Sequence, residues 1–483
     1  MTAPVVVPAQ RRLGLATKLL YGFGSVAFGV KDNGFSYLLL LFYNQVVGLP
    51  GTMVGLALMV ALLWDACIDP LIGQVSDHLR SRWGRRHPFM YAAALPVALS
   101  YMAVWSPPHW DHLRLFYYLI VTSIVIRTFT SFYEVPSSAL AAEFSADYDE
   151  RSELLSYRYF FGWVGGLALN FIAFRFLFTP DATHKVGQLN PVGYAHYGEV
   201  AAGVMFVAIL VSTAGTHRYI PTLMPPPPRR RLSLRQTLGE MAETLSNRSF
   251  LFLLLSAIAT AMSAGLVASL NNYFNTFFWD FSAQQISLFT AGVFLSAIVA
   301  LPAGPLLSRR FGKRPTAVVT TVLSLVVGLG PLLLRLAGLM PPNHSEALVA
   351  IIFCTSIVST LFLITAATMG SSMIADVVEA SELQTGRRSE GLFFAASAFI
   401  GKAVSGFGIL AASMIVELVH LQAGADPATV PATAPRDLAL IYCPAIIGLN
   451  AIALILLAGY KITRTSHAET LRQLAAEAEE ARG

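Results

Sequence analysis

The chain of 483 residues is 55% hydrophobic and only 13% charged, against roughly 25% charged in a soluble protein. A mean hydropathy of +0.59 excludes a single water-soluble core and points to a polytopic membrane protein. The net charge of +5 does not make nucleic acid a partner, because the basic residues sit in short loops between apolar runs.

The first stretch, MTAPVVVPAQRRLGLATK, lacks the charged, apolar and cleavage regions of a signal peptide. The first span is therefore expected to serve as the insertion signal. A span needs about 20 apolar residues to cross about 30 Å of hydrocarbon. Backbone groups find no water there, so the spans are expected to be helices. Twelve apolar segments follow in order: 17–47, 52–79, 87–107, 113–143, 153–178, 197–216, 248–279, 284–308, 315–338, 346–377, 390–420 and 437–461. Several exceed about 25 residues, which implies tilt or extension past the bilayer. Cys67, Cys354 and Cys443 all fall inside them, which argues against disulfides and a cysteine metal site.

Lysine and arginine set the orientation. They crowd the segment before span 1, the loops 2–3, 4–5, 8–9 and 10–11, the middle loop and the tail. The opposite side holds only Arg114, Lys185, Arg335 and Arg436. Both termini and the middle loop are thus expected on the cytoplasmic side of the plasma (inner) membrane. Four consecutive prolines in the middle loop favour an extended spacer, and LSLRQTLGEMAETL after them suits a short surface helix. The expected organisation is an N-terminal six-helix bundle over 1–216, a cytoplasmic loop over 217–247, a second bundle over 248–462 and a tail over 463–483.

The two halves echo each other. GQVSDHLRSRWGRRHP follows span 2, and GPLLSRRFGKRP follows span 8, the second span of its own half. RSELLSYRYFFGW enters span 5 and RSEGLFFAASAFIG enters span 11, again equivalent positions. The fold class is therefore an all-α membrane protein, with twelve transmembrane helices in two pseudo-symmetric six-helix bundles. Related halves of this kind are a transporter architecture, with a substrate site near the midplane between them.

Charges at mid-membrane cost about 2.5–3.5 kcal/mol each on insertion scales, and they face a cavity or a partner. Asp32, Asp65, Asp69, Arg127, Glu134, Asp376 and Lys402 fall in the spans, with Lys31 and Arg175 as further candidates. Asp65 and Asp69, four residues apart in WDACIDPLIG, share one helix face. Close carboxylates repel, and a bound cation or proton relieves the repulsion. The pair is the leading candidate for coupling-ion chemistry. The competing reading is a structural pair neutralised by Lys402 and arginines.

Asp32 lies in GVKDNGFSYL, where glycines at 22, 24, 29 and 34 permit close helix approach. Glu134 lies in TSFYEVPSSAL, with Arg127 seven residues earlier on the same face. Carboxylates around a polar cavity suit a hydroxyl-rich ligand such as a sugar. The alternative is a salt-bridge network in which Arg127 pairs Glu134. Arg158, at the start of span 5, either reaches a substrate as a bidentate donor or snorkels to the surface. Asp77, Arg85, Arg86, Arg151, Glu153, Arg388 and Glu390 lie at cytoplasmic helix ends. They are expected to form a gate whose salt bridges break and re-form as access alternates. An enzyme is not expected: the ten histidines include no HExxH motif, and no Cys/His cluster appears. Cofactors are not expected either, and no metal beyond Na+ at Asp65 and Asp69.

YGFGSVAFGVKD, WDACIDPLIGQVSDHLRSRWGRRHP, YEVPSSAL with DERSELLSYR, and RRSEGLFFAASAFIGKAVSGFG resemble the glycoside–pentoside–hexuronide:cation symporter family of the major facilitator superfamily. The likeness covers nearly the whole chain. It implies the major facilitator fold and symport of a small molecule, a sugar by preference, with H+ or Na+. It also implies that Asp65, Asp69 and Ser131 hold the cation, that Lys31, Asp32, Glu134 and Arg158 bind sugar, and that Lys402 lies close to both sites. The sequence departs from the family's melibiose permeases at two positions. Ile68 stands where they have a sodium-binding Asn, which shifts weight to protons. Ser138 stands where they stack a Trp on the galactosyl ring, which leaves galactoside specificity behind. The lysolipid symporters of animals share the span 2 aspartates and the span 11 lysine, so an amphiphile carrier is the alternative. A monomer in the lipid bilayer is the expected assembly.

Overall fold

A computed structural model of the chain describes residues 13–145, 147–223, 248–385, 390–421 and 433–460, with isolated positions 423, 424, 430, 431, 462, 469, 470, 472, 473 and 476. The proline run and the expected surface helix of the middle loop lie outside the described residues. Among the described residues every regular element is helical. Eleven helices are long and apolar enough to cross a membrane, and they correspond to spans 2 to 12. Span 1 is segmented: Leu15–Phe23, Val26–Asn33, a π-helical turn at Gly34–Leu38, Leu39–Leu41 and a second π-helical turn at Phe42–Val46. With it the protein has twelve spans.

Local chemistry explains where the helices start. Asp111 caps span 4 (His112–Phe144) by accepting from the Arg114 amide, and Asp147 caps span 5 (Tyr148–Ile172) by accepting from the Glu150 amide. Span 6 opens at Pro191, six residues before the expected 197, because Asn190 caps it and Pro191 takes the first helical position. Proline has no amide to satisfy there. Ser282 and Gln285 form a reciprocal capping box on span 8 (Ala283–Phe311).

The chain divides into two compact units, Met1–Phe42 with Trp64–Arg229, and Tyr43–Leu63 with Arg230–Gly483. This division differs from halves split at the middle loop by placing Tyr43–Leu63 with the second unit. Each unit repeats the same devices. In the first, spans 1 and 5 meet along glycines: a Cβ on Gly29 would lie 1.8 Å from the Gly162 carbonyl oxygen. In the second, span 7 (Arg248–Tyr273) meets span 11 (Glu390–Leu418) the same way, and a Cβ on Gly408 would lie 2.2 Å from the Met262 carbonyl oxygen. The sequence-repeat turns also agree. Gly84 after span 2 and Gly312 after span 8 have φ of 72° and 87°, a left-handed conformation that glycine adopts without strain.

The first unit's core is strongly aromatic. Trp105 stacks on Tyr194 at 5.8 Å between ring centroids, and Tyr101 and Tyr197 share a hydroxyl hydrogen bond of 3.0 Å. The outward faces are apolar instead: Leu95, Val121, Ile298, Val326 and Ile455 are all exposed. Such a surface is stable only against lipid.

The glycine seam yields a prediction. Gly29→Val places carbon against backbone that has no room to yield, at the upper end of the about 1–3 kcal/mol overpacking range. The variant should melt well below wild type when detergent-solubilised protein is followed by size-exclusion chromatography after heating. Gly14→Ala, where an added Cβ meets nothing within 4 Å, should melt like wild type.

Candidate functional site

Span 2 (Gly51–His78) runs as a helix through Pro70, so Asp65 and Asp69 stay on one face. Proline also strips the Ala66 carbonyl of its intrahelical donor. Span 4 presents Arg127, Ser131 and Glu134 at helical spacing, and these two faces meet. Arg127 Nη1 lies 3.1 Å from Asp65 Oδ2, with side chains 5% and 2% exposed. The Ser131 hydroxyl lies 3.3 Å from Asp65 Oδ1 and 2.5 Å from Asp69 Oδ1. The Arg127 guanidinium also sits 5.0 Å over the Phe35 ring of span 1, a favourable cation–π arrangement. Its Nε is buried without a hydrogen-bond partner.

A second cluster adjoins the first. Lys31, buried at 2% exposure, holds Asp32 Oδ1 at 2.9 Å, while the Asp32 side chain remains 55% exposed. Lys31 is within electrostatic range of Asp65, Arg127 and Glu134 as well. Arg158 does not snorkel to the surface. It is 6% exposed, donates to the Ser137 hydroxyl at 2.6 Å and packs its guanidinium 5.6 Å from the Tyr21 ring. Glu134 is within electrostatic range of Arg158 too. The expected site residues of the first unit thus lie close together, with Lys31, Asp65, Arg127, Ser131 and Arg158 buried, Asp69 and Glu134 part-buried and Asp32 exposed. Arg127 pairs with Asp65 across helices. Ser138 is exposed, and its hydroxyl donates to the Val135 carbonyl at 2.8 Å. Lys402 is carried by span 11 of the second unit, where its carbonyl accepts from the Ser405 hydroxyl at 2.9 Å.

A family model described as MFS/sugar transport protein matches residues 20–464. The protein belongs to that family. It is accordingly a multi-pass membrane transporter and not an enzyme. The chain is 25% identical to an uncharacterized symporter of Synechocystis, over 97% of this chain and 98% of the relative. It is also 25% identical to a putative glycoside/cation symporter of Escherichia coli, over 96% of this chain and 95% of the relative. The solved D-xylose–proton symporter superposes with a TM-score of 0.58 at 16% identity, covering 90% of this chain and 96% of that one. At that identity the likeness speaks for the fold alone.

The transporter's expected gate residues are largely engaged within the first unit. Arg86 pairs with Asp77 and donates to the Ser76 hydroxyl at 2.7 Å. Arg85 and Arg86 both reach Glu143, at 2.9 and 2.8 Å. Lys18 lies 2.5 Å from Glu153 and 3.9 Å from Glu150, and Arg151 donates to the Ser145 carbonyl at 2.6 Å. Arg388 lies outside the described residues, and of Glu390 only its place at the start of span 11 is described. The second unit has an equivalent: Lys313 of the 8–9 turn lies 2.5 Å from Asp376, which also accepts from the Tyr460 hydroxyl at 3.1 Å. The sequence reading missed Lys18, Glu143 and Glu150 as network members. The adjacent arginines at 85 and 86 were the available signal, since buried guanidinium groups demand acids at the same helix ends.

Glu143 holds two arginines while only 7% exposed. Removing one partner of a buried ion pair costs about 3–5 kcal/mol. Glu143→Gln should therefore lower the melting temperature of the purified transporter by several degrees. Glu153→Gln, whose side chain is 45% exposed, should shift it little.

Proposed function

We propose that this transporter is a cation-coupled symporter of a glycoside, uronide or related sugar, working by alternating access in the plasma membrane with both termini cytoplasmic. One observation carries the reading: the Asp65–Arg127–Ser131–Asp69 cluster lies within electrostatic range of the buried Lys31, which holds the half-exposed Asp32. Charge on the aspartates and the availability of the Asp32 carboxylate are thus felt by one lysine. An ionised carboxylate accepts several hydroxyl hydrogen bonds, which favours a polyol ligand over an apolar one. The family description and the glycoside/cation relative point the same way.

Hydrogen-bond arithmetic supports the proton as coupling ion. Two ionised aspartates offer only acceptors, and the Ser131 hydroxyl has one hydrogen to give. It can serve only one of the two oxygens it approaches. A proton on Asp69 completes the chain: Asp69 donates to Ser131, and Ser131 donates to Asp65, which Arg127 holds from the other side. Ile68, between the aspartates, offers no side-chain oxygen for a metal ion.

In this reading the cation binds at Asp65, Asp69 and Ser131. Sugar binds near Lys31, Asp32, Glu134 and Arg158, with Lys402 supplied by the second unit. The Asp77, Arg85, Arg86, Arg151, Glu153, Arg388 and Glu390 set works as the gate. The transporter acts as a monomer and without nucleic acid. Each coupled charge contributes about 2.3 kcal/mol per 100 mV of membrane potential, which sustains roughly fifty-fold accumulation of a neutral solute at about 1.4 kcal/mol per tenfold.

Two measurements test this. Membrane vesicles given an acid-outside pH gradient should accumulate sugar, whereas Asp65→Asn and Asp69→Asn vesicles should only equilibrate it. Uphill accumulation by Asp65→Asn at the wild-type level would sink the coupling role. Separately, purified protein should gain thermal stability from members of a glycoside and uronide panel, and Asp32→Asn should lose that gain. A response to lysolipids alone would remove sugar as the substrate class.

A further inference from the structure

We propose that Arg127 is a resident cation that keeps alkali metal ions out of the Asp65–Asp69 site and thereby sets which ion the transporter couples to. This role rests on the symport reading, and it places ion choice on a residue outside the ligand set itself.

The geometry supplies the reason. Arg127 Nη1 holds Asp65 Oδ2 at 3.1 Å, and both side chains are buried. A metal ion chelated through both Asp65 oxygens would have to displace the guanidinium from Oδ2. Hard cations require a shell of oxygen ligands, and Asp65 Oδ1 and Asp69 Oδ1 both lie within hydrogen-bond reach of the one Ser131 hydroxyl. An ion drawn to Asp69 and Ser131 would also stand beside a fixed positive charge. Two unit charges about 4 Å apart in a partly screened protein site disfavour each other by roughly a thousandfold in binding constant. A proton on a carboxylate avoids both difficulties, since it displaces no ligand and adds no ion of finite radius.

The side chain is held for this position at a cost. Phe35, in the first π-helical turn, lies under the guanidinium at 5.0 Å. Arg127 Nε is left buried without a partner, an unfavourable state that calls for a reason. The same Nη1 contact would be made from other orientations; the ring fixes this one. Arginine also suits the task better than lysine, because it stays protonated at any working pH and resists losing its charge on burial.

The test is a melting series on purified full-length protein in detergent, with NaCl, LiCl or choline chloride at equal ionic strength. Wild type should melt at the same temperature in all three. Arg127→Gln and Arg127→Met, which vacate the charge while filling the space, should melt about 2–4 °C higher in 100 mM NaCl than in choline chloride. Arg127→Lys should remain indifferent. A wild type stabilised by NaCl over choline chloride overturns the proposal without any variant. Folded Gln and Met variants that ignore Na+ overturn it as well. If neither variant is recovered folded, the wild-type comparison decides alone. Failure of the symport reading looks different: wild-type sugar uptake indifferent to an imposed pH gradient leaves these melting results unaltered.

Discussion

A carboxylate at membrane depth survives only beside something that answers its charge. For Asp65 that partner is Arg127, and much of the first unit is arranged to bring them together. Span 4 must run so that Arg127, Ser131 and Glu134 face span 2. Span 1 must place Phe35 under the guanidinium and bury Lys31 within range of the same group. Its π-helical turn at Gly34–Leu38 begins directly after Lys31, Asp32 and Asn33. π-helical turns of this kind are frequent at functional sites, and this one carries the Phe35 ring that lies under the Arg127 guanidinium.

The two units share a plan but not a chemistry. Both close spans 1 and 5, or 7 and 11, through glycines, and both turn out of their second span on a left-handed glycine followed by basic residues. Both tie that turn to an acid at the end of the fourth span, Glu143 in one and Asp376 in the other. The aspartate pair has no counterpart in span 8, where the equivalent turn carries Pro302 and Pro305 among apolar residues. The two units share a scaffold, and the aspartate pair stands in the first of them alone among these equivalent turns.

The spans were legible in the sequence because hydrocarbon thickness imposes length and apolarity directly on composition. Capping residues such as Asn190 with Pro191 shifted a start by less than about two turns. The segmentation of span 1 was not legible, since a π-helical turn changes hydrogen-bond register without changing hydropathy. Asp65, Asp69 and Asp32 announced themselves as charges in an oily run. Arg127 announced itself too, and an arginine neutralising the aspartate pair was an open reading, but the choice of acid was not legible: Glu134 shares its helix face, whereas Asp65 lies on another helix whose distance no spacing rule supplies. Arg158 was balanced between two roles, and its burial against Tyr21 counts against the one at the surface.

The seam between spans 1 and 5 has a consequence for how such a transporter diversifies. Because Gly29 and Gly166 take a neighbouring backbone or side chain where a Cβ would stand, Lys31, Asp32 and Arg158 ride on a backbone that tolerates almost no drift. New substrate preferences cannot arise there by shifting helices a little. Side chains at exposed positions such as Asp32 and Ser138 are the ones that can be exchanged without moving that backbone. A lineage of carriers built this way would keep its interior nearly constant while its cargo changes from one descendant to the next.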